Sequence, residues 1–125
     1  MKLGDTFVPI SDEDVTHLWI VITDPDASGL VVIVSVTTKR NHSDDTCILQ
    51  KDDHSFIRHE SVIAYRLGKL VLGNNFDSAL AKQLLRVQPP VSATLLERIQ
   101  NGALASIYTP RKVKVAVRRQ LGITE

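Results

Sequence analysis

A chain of 125 residues, 43% hydrophobic and with a net charge of +1, is long enough to bury a real core and of the size of one domain. It shows no secretory h-region and no apolar run long enough for a bilayer, so a soluble, cytoplasmic protein with no membrane partner is expected; its one cysteine, Cys47, excludes an internal disulfide. The charge is uneven: residues 1–60 carry five Lys and Arg against eleven Asp and Glu (−6), and residues 61–125 carry ten against three (+7), a division suited to a polyanion or to mutual pairing.

In chain order, Gly4-Asp5 precedes a short extended piece at 6–10, where Pro9 predicts an edge strand or a strand end. Residues 11–14, Ser-Asp-Glu-Asp, predict an acidic, solvated loop. Residues 17–23, His-Leu-Trp-Ile-Val-Ile-Thr, form a strong strand signal. The turn cluster at 24–29 joins it to 30–38, Leu-Val-Val-Ile-Val-Ser-Val-Thr-Thr. This β-branched run fits a pleated surface covered on both faces, so it predicts the central strand of a hairpin. A polar loop holding His42 leads to a third strand at 46–50, and Asp52-Asp-His-Ser-Phe turns the chain. Residues 60–66 and 69–72 predict one more strand, bent or bulged at Gly68.

After Gly73 the pattern becomes helical. Asp77 or Ser78 can cap a helix carrying Leu80, Leu84 and Val87, which Pro89-Pro90 stops. Ser92 caps a second helix with Leu95, Leu96, Ile99 and Ala103 on one face, frayed or ended by Gly102. Thr109-Pro110 opens a third, which buries Val113, Val117 and Leu121 and stops at Gly122. Strands followed by helices predict an α+β fold. A small antiparallel β-barrel over residues 1–72, with a helical C-terminal extension over 73–125, is expected within a single domain.

Candidate chemistry gathers in the first half. His17 and His54 are the candidate proton carriers, because imidazole exchanges protons near neutrality, and Asp52 or Asp53 could fix the His54 tautomer. A hydrogen-bonded turn without chemistry is the alternative for His54. Thr37 and Thr38, with Lys39 and Arg40, put two hydroxyls and two cations at a strand end, a set suited to gripping phosphate. The spacing of histidines and Cys47 matches no zinc pattern, so no metal or other cofactor is expected. The stretch 111–119 has five cations and no acid, so nucleic acid backbone is a candidate partner.

The first seventy residues resemble the PemK/MazF-like toxin family. The resemblance rests on Gly4-Asp5, on the strand that begins His17-Leu-Trp-Ile-Val-Ile where that family has Arg-Pro, and on residues 31–38, where the family's strand ends in threonine and a second hydroxyl residue. It implies an SH3-like barrel and metal-independent cleavage of single-stranded RNA. By position, the family's catalytic arginine and threonine fall on His17 and on Thr37 or Thr38. It also implies an antitoxin protein as partner and a homodimer. The chain departs from the family at His17-Leu18, where Arg-Pro is missing, and over its last fifty residues. A non-catalytic SH3-like module that binds protein or nucleic acid is the alternative reading.

Overall fold

The computed structural model describes residues 1–10 and 17–123; the predicted acidic loop at 11–14 lies outside the described residues. The strands are β1 (Thr6–Pro9), β2 (Trp19–Val21), β3 (Leu30–Thr38), β4 (Ile48–Leu49), β5 (Ser61–Ile63), β6 (Lys69–Leu72) and, after helix α1 (Gly73–Ala81), β7 (Leu85–Gln88). Helices α2 (Ala93–Ala105) and α3 (Arg111–Gln120) complete the chain. All pairings are antiparallel, in the order β4-β5-β3-β2-β1-β7, with β6 also on β3.

The run 30–38 is the axis of the fold, as its composition predicts. It pairs with β2 on one edge, Trp19 opposite Ser35. On the other edge it takes β6 along its first half and β5 along its last three residues. Val31 to Val36 are buried. Val32, Val34 and Val36 pack with Leu18, Ile20 and Ile22 against Leu95, Ile99, Ala103, Val113 and Val117 of α2 and α3. Val31 and Ile33 face the other way, toward Phe7, Phe76 and Leu85. Alternation with period two therefore supplies both cores from one strand.

The predicted bend falls where expected. Between Val36↔Ile63 and Ile33↔Lys69, only Val34 and Ser35 of β3 stand against residues 64–68, which form a 3₁₀ turn at Tyr65–Leu67. Gly68 closes it: its N–H donates to the Tyr65 carbonyl at 3.0 Å, and a Cβ there would sit 3.1 Å from that same oxygen. Tyr65 is driven into the core, its hydroxyl donating to the Ile99 carbonyl at 2.7 Å.

The structure corrects three expectations and decides a fourth. The sheet is open: among the described residues β4 and β7 are its ends and do not pair, and α2 and α3 pack against the core that β2 and β3 supply on one face. Of the two readings of Pro9, the strand end holds: it is the last residue of β1, which is not an edge, since β7 pairs along its whole length. The helix expected through Leu80, Leu84 and Val87 ends at Ala81. Lys82 caps it, Gln83 adopts φ +59°, and the chain turns into β7. Residues 73–125, expected as a helical extension of the same domain, thus also supply a strand and part of the core. Finally, Gly102 does not end α2, which runs on to Ala105. It is buried where a Cβ would collide with the Tyr65 hydroxyl.

Of the remaining helix signals, Asp77 and Ser78 are not caps, because α1 already begins at Gly73, and Pro110 precedes α3 as its cap, with Leu121 half-buried at the other end. The Ser92 cap and the apolar face of α3 hold. Ser92 Oγ accepts the Leu95 N–H at 3.1 Å, and α3 buries Val113 and Val117. Among the described residues, no helix is long and apolar enough to cross a membrane.

Candidate active site at the end of the central strand

Strand β3 carries Thr37 and Thr38 out of the core, and β2 begins beside them, so His17 arrives at the same end of the sheet. The His17 ring is tied to the strand: Nδ1 lies 3.1 Å from the Val36 carbonyl. A carbonyl only accepts, so Nδ1 carries the proton in the neutral ring, and Nε2 is left as the basic nitrogen. Beyond β3 opens a cavity of about 370 Å³ lined by His17, Thr37, Thr38, Arg58, His59 and Ser61 among others. Thr38 Oγ1 and His59 Nε2 are 2.8 Å apart. His17 and His59 are both exposed, so both imidazoles are open to a ligand.

His59 is the residue that the sequence reading passes over. The signal was in the register: with Thr38 opposite Ser61, a residue two places before Ser61 emerges just past the end of β3. The Ser61 hydroxyl fixes that emergence by donating to the His59 carbonyl at 2.9 Å.

His54 lies elsewhere. It is buried, with both ring nitrogens occupied: Nε2 donates to the Pro89 carbonyl at 2.6 Å, and Nδ1 accepts the Phe56 N–H at 3.0 Å. It does not line the cavity. Nor do its neighbouring aspartates orient it. Asp53 accepts from the Gln50 N–H and pairs with Arg98 at 2.9 Å. The His54 turn is a hydrogen-bonded strap between the strand layer and Pro89.

The predicted cations also divide. Lys39 pairs with Glu60 at 3.3 Å. The Gln50 amide, followed by Lys39, holds the Glu60 carboxyl below its ordinary range. Arg40 is exposed; its backbone N–H donates to Ser43 Oγ, and its side chain does not line the cavity. Arg58, not singled out in the sequence, is the exposed guanidinium on the cavity wall.

Cys47 is a small core residue, as expected, with burial pushing its thiol up. Among the described residues, no three His, Cys, Asp or Glu side chains group so as to hold a metal ion.

What this arrangement can do is proton transfer beside an anion. It holds one imidazole of assigned tautomer, a second bonded to the Thr38 hydroxyl, and the residues Thr37 and Arg58 around one open cavity. No protein-family model matches the chain, and no curated protein matches it.

Proposed function

We propose that the protein is a PemK/MazF-like, metal-independent endoribonuclease acting on single-stranded RNA, with His17 and His59 as its proton carriers. The observation that supports this most is the opening of both imidazoles onto one cavity together with Thr37, Thr38 and Arg58. The central strand, shared between two sheet halves whose β5 and β6 are joined by the 3₁₀ turn, is compatible with descent from an SH3-like barrel opened by β7 and the C-terminal helices.

In the reaction, His17 Nε2 removes the ribose 2′-OH proton. The 2′-oxygen attacks the adjacent phosphorus, forming the O2′–P bond while the P–O5′ bond breaks. Protonated His59 delivers a proton to the departing 5′-oxygen, giving a 2′,3′-cyclic phosphate and a 5′-hydroxyl. Arg58 and the Thr37 and Thr38 hydroxyls face the non-bridging oxygens as charge develops there. Single-stranded RNA is the substrate partner of this reading; an antitoxin protein and a second copy of the chain are its expected protein partners.

The test is cleavage of a labelled single-stranded RNA in excess EDTA by the wild type and by His17→Ala, His59→Ala and His54→Ala. The reading expects cutting that survives EDTA, is lost in the first two variants, and is kept by folded His54→Ala. Equal cutting by all four proteins would place the activity elsewhere. No cutting by the folded wild type would leave a non-catalytic binding module.

A further inference from the structure

A second cavity, of about 530 Å³, adjoins the first, and His17 and Thr37 line both. Its lining is of another kind. Trp19 forms one wall, with the Lys69 ammonium 5.1 Å from its ring centre, and Leu67 and Arg66 come from the 3₁₀ turn. Tyr108, from the connection between α2 and α3, stands at the rim and is 53% exposed, as Leu67 is at 54%.

The rim is held by a chain of hydrogen bonds. The Tyr108 N–H donates to Ser106 Oγ at 3.1 Å, and that hydroxyl donates to Asp44 Oδ2 at 2.5 Å. Ser106 is buried, so the bond locks the Tyr108 segment to the loop of His42, Ser43 and Asp44, which also lines the cavity. An exposed aromatic residue, held by its backbone at the rim of a hollow that Arg66 also lines and with Lys69 on the Trp19 wall, matches the chemistry of a flat π-face attached to a phosphate.

We infer that this second cavity receives one unpaired nucleobase of the RNA, stacked on Tyr108, while the phosphate next to it occupies the cavity of His17 and His59. The inference rests on the nuclease reading for the place of the scissile phosphate. The shared wall of His17 and Thr37 puts base and phosphate in neighbouring compartments. The base orients the strand and so selects which phosphate meets the imidazoles. The C-terminal segment, which the family resemblance does not reach, thereby completes the substrate site.

Trp19 is the only tryptophan of the chain, and it lines this cavity, so its fluorescence reports occupancy. The probe is a 2′-deoxythymidine hexamer, which lacks the attacking hydroxyl and is not cut. It is compared with an abasic hexamer of the same phosphate backbone. The expected result is saturable quenching by the base-bearing oligomer, with binding at least about tenfold weaker for the abasic one. Tyr108→Ala should weaken the base-bearing oligomer by about 5- to 100-fold, the usual range for losing one stacked base, and Tyr108→Phe should restore it. Equal affinity for the two oligomers, or no quenching at all, overturns the inference using the wild type alone. Equal affinity of wild type and Tyr108→Ala overturns it as well. RNA cleavage by the wild type is measured in parallel. Base discrimination without cleavage sinks the nuclease reading and keeps the subsite, whereas cleavage without discrimination does the reverse.

Discussion

His54 and His59 stand five residues apart and do opposite things. His54 is itself buried, although Asp52 and Ser55 beside it are exposed, and each of its ring nitrogens has a protein partner. Around His59 the chain is exposed; among the described residues its Nε2 meets a threonine hydroxyl, beside an open cavity. The difference lies in the path of the backbone after each histidine. Residues 55–57 fold back, the Ile57 N–H reaching the His54 carbonyl, so His54 stays under the turn. After His59 the chain enters β5, whose pairing with the end of β3 pushes His59 past the sheet. Identical side chains become a structural strap and a candidate proton carrier through backbone direction alone.

Substitution should break this comparison in two directions. Replacing His59 or His17 by alanine is expected to cut the RNA cleavage rate by about 10²- to 10⁴-fold, the usual contribution of a positioned acid or base. Urea unfolding should move by less than about 0.5 kcal/mol, because both side chains are exposed. His54→Ala should do the opposite. It leaves the Phe56 N–H and the Pro89 carbonyl without their partner, at a cost of about 1–3 kcal/mol in stability, while folded enzyme retains its rate. A large rate loss in His54→Ala with unchanged stability would reverse the assignment.

Gly102→Ala tests the buried side further. A Cβ there meets the Tyr65 hydroxyl and lies 3.2 Å from Cys47 Cβ, so about 1–3 kcal/mol of overpacking is expected. Removing the hydroxyl with Tyr65→Phe should recover part of that loss in the double variant. Strictly additive losses, measured by thermal or urea unfolding, would show that the two groups do not press on one another.

The sequence revealed those parts of the fold whose signals are local. The β-branched run 30–38, the turn at 24–29 and the Ser92 cap each announce themselves within a few residues, and each forms as expected. The strand β7 did not, because Leu80, Leu84 and Val87 keep helical spacing. Only the left-handed turn at Gln83 and a partner strand about eighty residues earlier decide otherwise. Closure of the barrel failed for a related reason: the number of strands is legible, but which element covers the last open face is a tertiary choice. In the candidate site, His17, Thr37 and Thr38 were legible because they sit at the ends of strong strands. His54 misled because its partner, the Pro89 carbonyl, is thirty-five positions away. Arg58 and His59 needed the register of β3 on β5, which no single segment contains.

Thr38→Val sharpens the comparison on the exposed side. It removes the hydroxyl bonded to His59 Nε2 and keeps the side-chain shape. A hydrogen bond of this sort contributes about 1 kcal/mol, so the expected loss is about fivefold in kcat, with little change in KM if the bond only positions the ring. An equal loss in both Thr38→Val and the Thr38→Ser control would point to lost packing in place of the lost bond.

The smallest effect expected is a pH dependence at the rim of the second cavity. Partial burial opposes ionisation of Asp44, but the hydroxyls of Ser106 and Thr46 and the Thr46 N–H outweigh it and hold the carboxyl below its ordinary value. A carboxylate with a depressed folded pKa adds stability that is present above its unfolded pKa of about 3.9 and is lost as pH falls through the folded one. The wild type should therefore lose stability relative to Asp44→Asn as pH drops from 5 toward 2.5, and the gap between them should be constant above 5. Asp44 is half-buried and desolvation offsets much of the gain from its hydrogen bonds, so the difference is expected to stay below about 1 kcal/mol. Urea midpoints at matched pH measure it. The same acid range should also loosen the tie that seats Tyr108, so weakening of the thymidine hexamer in step with the midpoints would connect the rim carboxylate to the base subsite. Hexamer affinity that tracks the hexamer's own titration, identically in both proteins, would separate them.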